Sequence, residues 1–223
     1  GAPLKGVRAL VTAGPTREPV DPVRFLANHS SGKQGYAIAA ALARAGANTT
    51  LVSGPVALPP PPGVTLISVT TAQQMLTACE DALPTDVLVM AAAVADWRPD
   101  IAAGSKIKKS TDRVVPLIKL VENPDILATL AAHAQRPRLV IGFAAETDHV
   151  LENATAKRVR KGADWIIAND VSANERGESV MGGDRNQVHL VRGDGAESWP
   201  DMSKTEVALR LAARIAEKLK GVA

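Results

Sequence analysis

Cysteine is nearly missing from this sequence: Cys79 stands alone among 223 residues. No disulfide can form within the chain, and no Cys/His pairs stand at the spacing of a structural zinc site. Aromatic residues are scarce at 3 %, too few for a platform on which nucleobases stack. No apolar run approaches the roughly 18–20 residues needed to span a bilayer. The start shows no basic-then-apolar signal pattern. An excess of one charge is lacking as well, since 26 basic and 23 acidic residues leave a net +3. That is little for a broad duplex-binding surface. These absences set the expectation of a cytoplasmic protein with neither membrane nor nucleic acid as partner.

What is present reads as a folded domain. Hydrophobic residues make up 46 % and charged residues 22 %, an ordinary globular balance, and the length allows one α/β domain with a sizeable core or at most two small ones. Residues 1–5 are expected to be a linker remnant or cloning scar, and residues 6–223 a single domain. Buried strands are predicted at Val7 to Thr12, Thr49 to Ser53, Val64 to Val69, Asp86 to Ala93, Leu139 to Phe143 and Trp165 to Ala168. Helices are predicted at Tyr36 to Ala45, Thr71 to Leu83, Ile126 to Ala134 and His149 to Lys161, with a last one capped by Ser203 and running to about Leu219. Pro59 to Pro62 can be neither helix nor central strand. The segments after Ala13, from Asp96 to about Thr111 and from Asn169 to Gly183 read as loops. Val114 to Lys119 reads as a short strand. Gln187 to Arg192 and Glu197 to Trp199 resemble a strand pair near the carboxyl terminus. Alternating strands and helices predict a Rossmann-like, mostly parallel sheet covered on both faces, with its ligand at the carboxyl ends of the strands.

Four local patterns could carry chemistry. Ser30-Ser31-Gly32-Lys33-Gln34-Gly35 leads into a helix, where backbone N–H groups and the helix dipole favour a phosphate. An ordinary glycine turn is the alternative, because neither the Walker spacing nor the first glycine of a dinucleotide fingerprint is present. Ala91-Ala92-Ala93-Val94-Ala95-Asp96-Trp97 ends a strand in small residues that leave room for a ligand, with Asp96 able to hold a hydroxyl, an amide or a metal-bound water. Tight packing and a solvated aspartate are its bland counterpart. Lys106-Ile107-Lys108-Lys109 could close over phosphates and neutralise a leaving pyrophosphate, or be a solvated charge run. Lys157 and Lys161 share one helix face, as surface lysines also do. Asn123-Pro124-Asp125 reads as a helix start with proline in the first turn. Cys79, in a helical pattern, reads as a packed hydrophobe rather than a nucleophile. No histidine has a Ser or Cys beside it in a triad-like setting.

Taken in order, these motifs resemble bacterial phosphopantothenate–cysteine ligase, the half called CoaB of the bifunctional coenzyme A biosynthesis protein. The resemblance also rests on Ala13-Gly14-Pro15-Thr16-Arg17-Glu18, Asn28-His29, Ile126, Gly142-Phe143-Ala144-Ala145-Glu146-Thr147 and Ala168-Asn169-Asp170-Val171-Ser172. It runs from about Val7 to Leu219. It implies a homodimer, natively fused to a flavin-dependent decarboxylase that is missing here, so no FMN is expected on this chain. It implies CTP as co-substrate with Mg²⁺, no protein ligand of which is assigned. The 4′-phosphopantothenate carboxylate attacks the α-phosphate of CTP, pyrophosphate leaves, and L-cysteine then displaces CMP from the acyl-cytidylate.

By the same resemblance Asn28 holds the acyl-cytidylate and Lys106 is the essential loop lysine. Ser30, Gly32 and Gly35 lie around the triphosphate. Met90, Ala91, Ala92, Asp96, Asn123, Pro124, Asp125, Ile126, Phe143, Lys157 and Lys161 are further CTP contacts. Ala92, Ala93, Asp96 and Asn28 meet the pantothenate, and Arg24 reaches its phosphate from the neighbouring subunit. Two rivals stand beside this reading. An NAD(P)-dependent oxidoreductase shares the fold but lacks the glycine fingerprint and an acidic residue after Ser53. A non-catalytic nucleotide-binding module binds CTP without turnover.

Overall fold

The computed structural model describes residues 1–172 and 185–221. In chain order the elements are β1 (Arg8–Ala13), β2 (Arg17–Asp21), β3 (Arg24–Ala27), α1 (Lys33–Arg44), β4 (Asn48–Ser53), β5 (Val64–Ser68), α2 (Ala72–Asp81), β6 (Val87–Met90), β7 (Trp97–Pro99), β8 (Leu120–Glu122), α3 (Ile126–Ala131), β9 (Leu139–Glu146), α4 (Val150–Lys161), β10 (Trp165–Asp170), β11 (Arg185–Arg192), β12 (Gly195–Ser198), β13 (Met202–Ser203) and α5 (Lys204–Lys220).

The main sheet runs β12-β11-β10-β9-β6-β1-β4-β5. From β5 to β10 all neighbours are parallel, and β11 and β12 close the far side antiparallel. The chain leaves β1 first toward β4 and β5, then crosses back to β6, so the order reverses between β1 and β6. That reversal opens a crevice at the carboxyl ends of the two strands, where ligands bind in doubly wound sheets. The Rossmann-like sheet and the carboxyl-terminal strand pair are as the sequence predicts. The segment around Pro59–Pro62 between β4 and β5 is not helical, as the sequence predicts, because proline lacks the N–H a helix needs.

Strand alternation divides the core in two. Val11, Val89 and Ile141 pack with α1, α5 and Leu4 on one face. Leu10, Leu88 and Val140 pack with α2, α3 and α4 on the other. Ser203 caps α5 and Thr71 caps α2, both as capping boxes in which Glu206 and Gln74 return the bond. Cys79 is buried among Met75, Leu88 and Leu130, and that burial, helped by the charge of Glu80, pushes its thiol up to about 12. It is a packed hydrophobe, with no accessible thiolate.

Five local expectations are corrected. The loop after Ala13 contains an antiparallel hairpin, β2 with β3, bulged between Pro19 and Asp21. The polar stretch from Asp96 contains β7, which pairs with β8 at Leu120–Glu122. The strand predicted at Val114 to Lys119 is exposed, irregular chain. Pro116, which lacks a backbone N–H, interrupts it, and β7 pairs instead with the residues just beyond. Pro124 stands just outside α3 rather than in its first turn, because Asp125 is the N-cap. Most of the loop expected from Asn169 to Gly183 lies outside the described residues, and Asn169 and Asp170 belong to β10.

Candidate active site

Two cavities open at the carboxyl ends of β1, β6, β9 and β10 and meet at Ala92 and Phe143, which line both. The first, about 480 Å³, lies between the end of β6 and the starts of β7, α3 and the inner face of α4. The second, about 750 Å³, lies between the first turn of α1 and the ends of β9 and β10.

The second cavity is built by backbone. Gly32, the N-cap of α1, has φ 77°, a left-handed conformation that glycine adopts without penalty. A side chain there would also meet Val56 at 2.7 Å. Gly35 lets α1 approach β1, since an added Cβ would stand 2.5 Å from that of Ala13. Ser30 Oγ accepts from the Gly32 N–H at 3.2 Å and Ser31 Oγ from the Lys33 N–H at 3.3 Å. The N-cap itself offers no side-chain acceptor, and the first turn carries no acidic residue. The positive end of the helix therefore lines the cavity, and its own first turn carries no carboxylate against it.

The first cavity is built by side chains. The Asn123 amide donates to the Ala95 carbonyl at 2.8 Å, and its N–H donates to the Asp96 carbonyl at 2.9 Å. These bonds pin the Asn-Pro-Asp segment against the small-residue end of β6. Asp125 caps α3 through the Ala128 N–H at 3.0 Å and forms an ion pair with Lys161. Burial works to raise the Asp125 pKa, but the Lys161 ammonium, the Ala128 N–H and the charge of Lys157 outweigh it and hold the carboxyl below its ordinary value. Lys157 Nζ donates to the Phe143 carbonyl at 2.5 Å. Burial, then repulsion from Lys161 and Arg160, lowers the Lys157 pKa. A half-buried cation disfavoured in this way gains from an anionic ligand.

Met90, Ala92, Asp96, Asn123, Pro124, Asp125, Ile126, Phe143, Lys157 and Lys161 line the first cavity, and Ser30, Gly32, Gly35, Ala91, Ala92, Ala93 and Phe143 the second. Asn28, Arg24 and Lys106 line neither. Asn28 Nδ2 donates at 3.2 Å to the carbonyl of Val94, which lines the first cavity, and its chain neighbour His29 lines the second. Arg24 and Lys106 sit on the hairpin and the exposed loop beyond.

Sequence reasoning assigned no role to Asn169 and Lys204, which line the second cavity. Asn169 Oδ1 is buried without a hydrogen-bond partner among the described residues. Its only signal was its place in the Ala168-to-Ser172 motif. Lys204 opens α5, and its carbonyl accepts from Gln34 Nε2 at 3.1 Å; the capping box locates a helix start but not what it faces. At the end of β4, where a ribose-binding carboxylate belongs in a dinucleotide enzyme, Gly54 packs so tightly that a Cβ would stand 1.8 Å from the Pro15 carbonyl oxygen.

Residues 4–219 match the family described as DNA/pantothenate metabolism flavoprotein C-terminal domain. The chain belongs to this family. Coenzyme A biosynthesis bifunctional protein CoaBC of Escherichia coli (strain K12) is 50 % identical over 199 residues, which are 88 % of this chain and 48 % of that protein. The Vibrio cholerae protein of the same name is 47 % identical over 206 residues, 92 % of this chain and 51 % of that one. The chain thus spans about half the length of these curated relatives. Among solved structures, the C-terminal domain of CoaBC is 41 % identical and superposes with a TM-score of 0.83 over 99 % of this chain and 100 % of that one. A Cab2 mutant in complex with phosphopantothenate-cysteine shares the fold at a TM-score of 0.72 and 17 % identity.

Proposed function

We propose that this domain is the ligase half of a bifunctional coenzyme A biosynthesis protein and joins 4′-phosphopantothenate to L-cysteine at the expense of CTP. The observation that carries the reading is the assembly of motifs scattered from Ser30 to Lys161 around two adjoining cavities. One offers a helix start suited to phosphates, the other paired lysines. A carboxylate is a poor acyl donor. Its oxygen attacks the α-phosphorus, the bond to the β-phosphate breaks, and pyrophosphate leaves. The cysteine nitrogen then attacks the acyl carbon, the acyl C–O bond breaks, CMP leaves, and the amine gives up a proton.

In this scheme the first turn of α1 takes phosphates, while Lys157, Lys161 and Asn123 to Ile126 take the rest of the nucleotide. Lys106 offsets the charge of the leaving pyrophosphate. Asn28 donates its amide to the acyl-cytidylate. Ala92, Ala93 and Asp96 border the pantothenate. Among the described residues no group of three or more His, Cys, Asp or Glu could hold a metal. A site with few carboxylates fits Mg²⁺ brought by the nucleotide, since this ion keeps waters and substrate phosphates and needs no protein cage of its own. When bound, Mg²⁺ offsets phosphate charge.

The other half of the full-length protein is, in this reading, a flavin-dependent decarboxylase, and FMN is assigned to it rather than to this domain. A CTP-consuming synthesis belongs in the cytoplasm, where nucleoside triphosphates are made. No helix among the described residues is long and apolar enough to cross a membrane. A homodimer completes the site by bringing Arg24 to the partner's phosphopantothenate. Its support is the exposure of large apolar side chains at Val23, Phe25, Trp97 and Leu117, the last 99 % exposed.

The test is pyrophosphate release with Mg²⁺, CTP and 4′-phosphopantothenate, with and without L-cysteine, and with ATP replacing CTP. CTP-dependent release together with formation of the cysteine amide is expected. CTP binding without release under any condition would overturn the reading in favour of a non-catalytic nucleotide module.

A further inference from the structure

Arg24 and Lys106 lie outside both cavities and far apart in sequence, yet one buried carboxylate ties their segments together. The Asp21 side chain is fully buried at the end of β2. Its Oδ1 accepts from the N–H groups of Val23 at 2.9 Å and Arg24 at 2.8 Å, which is an ordinary turn pattern. Its Oδ2 does something a turn does not require. It accepts from Arg24 Nη1 at 2.5 Å and from the Ile107 N–H at 3.0 Å. Arg24 Nη1 donates in turn to the Ile107 carbonyl at 3.2 Å. The residue next to Lys106 is thus gripped at both its N–H and its C=O.

Little else holds this loop. Residues 104–120 are exposed except Ile107. The nearest backbone tethers are Ala103 N–H to Val20 carbonyl at 2.9 Å and Asp100 N–H to Lys119 carbonyl at 2.9 Å. Burial works to raise the Asp21 pKa, but the bonds from Ile107, Val23 and Arg24 outweigh it and hold the pKa to about 2. The carboxylate therefore stays charged at any neutral working pH.

We propose that Asp21 is a positioning residue that fixes Arg24 and the Lys106 loop as one unit, so that formation of the cytidylate depends on it although it touches no substrate. The inference rests on the function proposed above. Its physical ground is that an unheld loop must be ordered anew in each transition state, which loses the advantage of a preplaced cation.

Asp21→Asn separates the two roles. An amide has one acceptor oxygen, enough for the turn bonds to Val23 and Arg24, but it turns an N–H toward Arg24 Nη1 and Ile107 N–H. Ile107→Pro removes the loop's donor from the other side and leaves the hairpin intact. Each variant is compared with the wild-type protein by melting temperature, by the rate of trypsin nicking located by mass, and by kcat and KM for pyrophosphate release. The expected result is a fold retained in both variants. Nicking at Lys108 and Lys109 rises about tenfold, and kcat for cytidylate formation falls about 10–100-fold with KM for CTP little changed. Nicking raised equally along the whole chain, or nicking and kcat both as in wild type, would overturn the proposal, as would faster loop nicking with an unchanged kcat. Should Asp21→Asn fail to fold, Ile107→Pro decides alone by the same criteria. A wild-type protein that releases no pyrophosphate refutes the proposed function, whereas the nicking comparison still decides whether Asp21 holds the loop.

Discussion

The floor of the two cavities and the arm that carries Lys106 are built on opposite plans. The floor consists of strand ends and one helix start. Its positions are fixed by glycines and alanines too closely packed to move, as at Gly35 against Ala13 and Gly54 against Pro15. The arm is exposed chain with apolar side chains such as Ile101 and Leu117 on its surface, and it is tied down by a few hydrogen bonds centred on Asp21. The floor can recognise a ligand without rearranging. The arm has few buried contacts to hold it, so its placement depends on the bonds to Asp21. In the proposed function, binding and chemistry fall to regions of different local stability.

The contrast can be broken at its rigid end first. Gly54→Ala forces a Cβ onto the Pro15 carbonyl, a backbone atom that cannot rotate away, and is expected to cost at least about 3 kcal/mol. Chemical denaturation reads this directly, and a midpoint equal to wild type would show that the floor is softer than its spacing implies. Lys106→Gln is expected to leave the denaturation midpoint unchanged and to lower kcat for pyrophosphate release about 100-fold. An equal rate would make the lysine a surface charge and remove the arm's chemical role. The smallest effect is expected at Lys157→Met. It removes an ammonium held under the Phe143 carbonyl and should raise KM for CTP about tenfold while kcat changes less. A fall in kcat with KM unchanged would place Lys157 with the arm's function rather than the floor's.

Much of the floor was legible along the chain and little of the arm was. The strands around Val11, Val89 and Ile141 are short apolar runs bounded by turn residues, and local signals suffice for those. Ser203 and Glu206 mark the start of α5 because a capping box is local. The hairpin β2–β3 was invisible because Pro19 and its charged neighbours mimic a loop, and because its bulge breaks the period of two. Val114 and Val115 have the composition of a strand, yet the strand forms at Leu120–Glu122, where Trp97–Pro99 supplies the pairing. Asn169 reads as a turn residue until the ends of β9 and β10 bring it into the same cavity as Ser30.

By itself the sequence determined the alternation of strands and helices, the parallel sheet, a helix led in by Ser30 to Gly35, the exclusion of a disulfide within the chain, and the order of motifs that marks the family. All of these depend on neighbours within a few residues or on composition. Only the tertiary structure decided which motifs share a cavity, that Asn28 bonds to the backbone of Val94 at the first cavity, and that Asp21 grips the backbone beside Lys106. Those facts rest on contacts between segments distant in the chain. Such contacts leave no local period or cap, because they form only when the packed sheet brings their partners within hydrogen-bond reach.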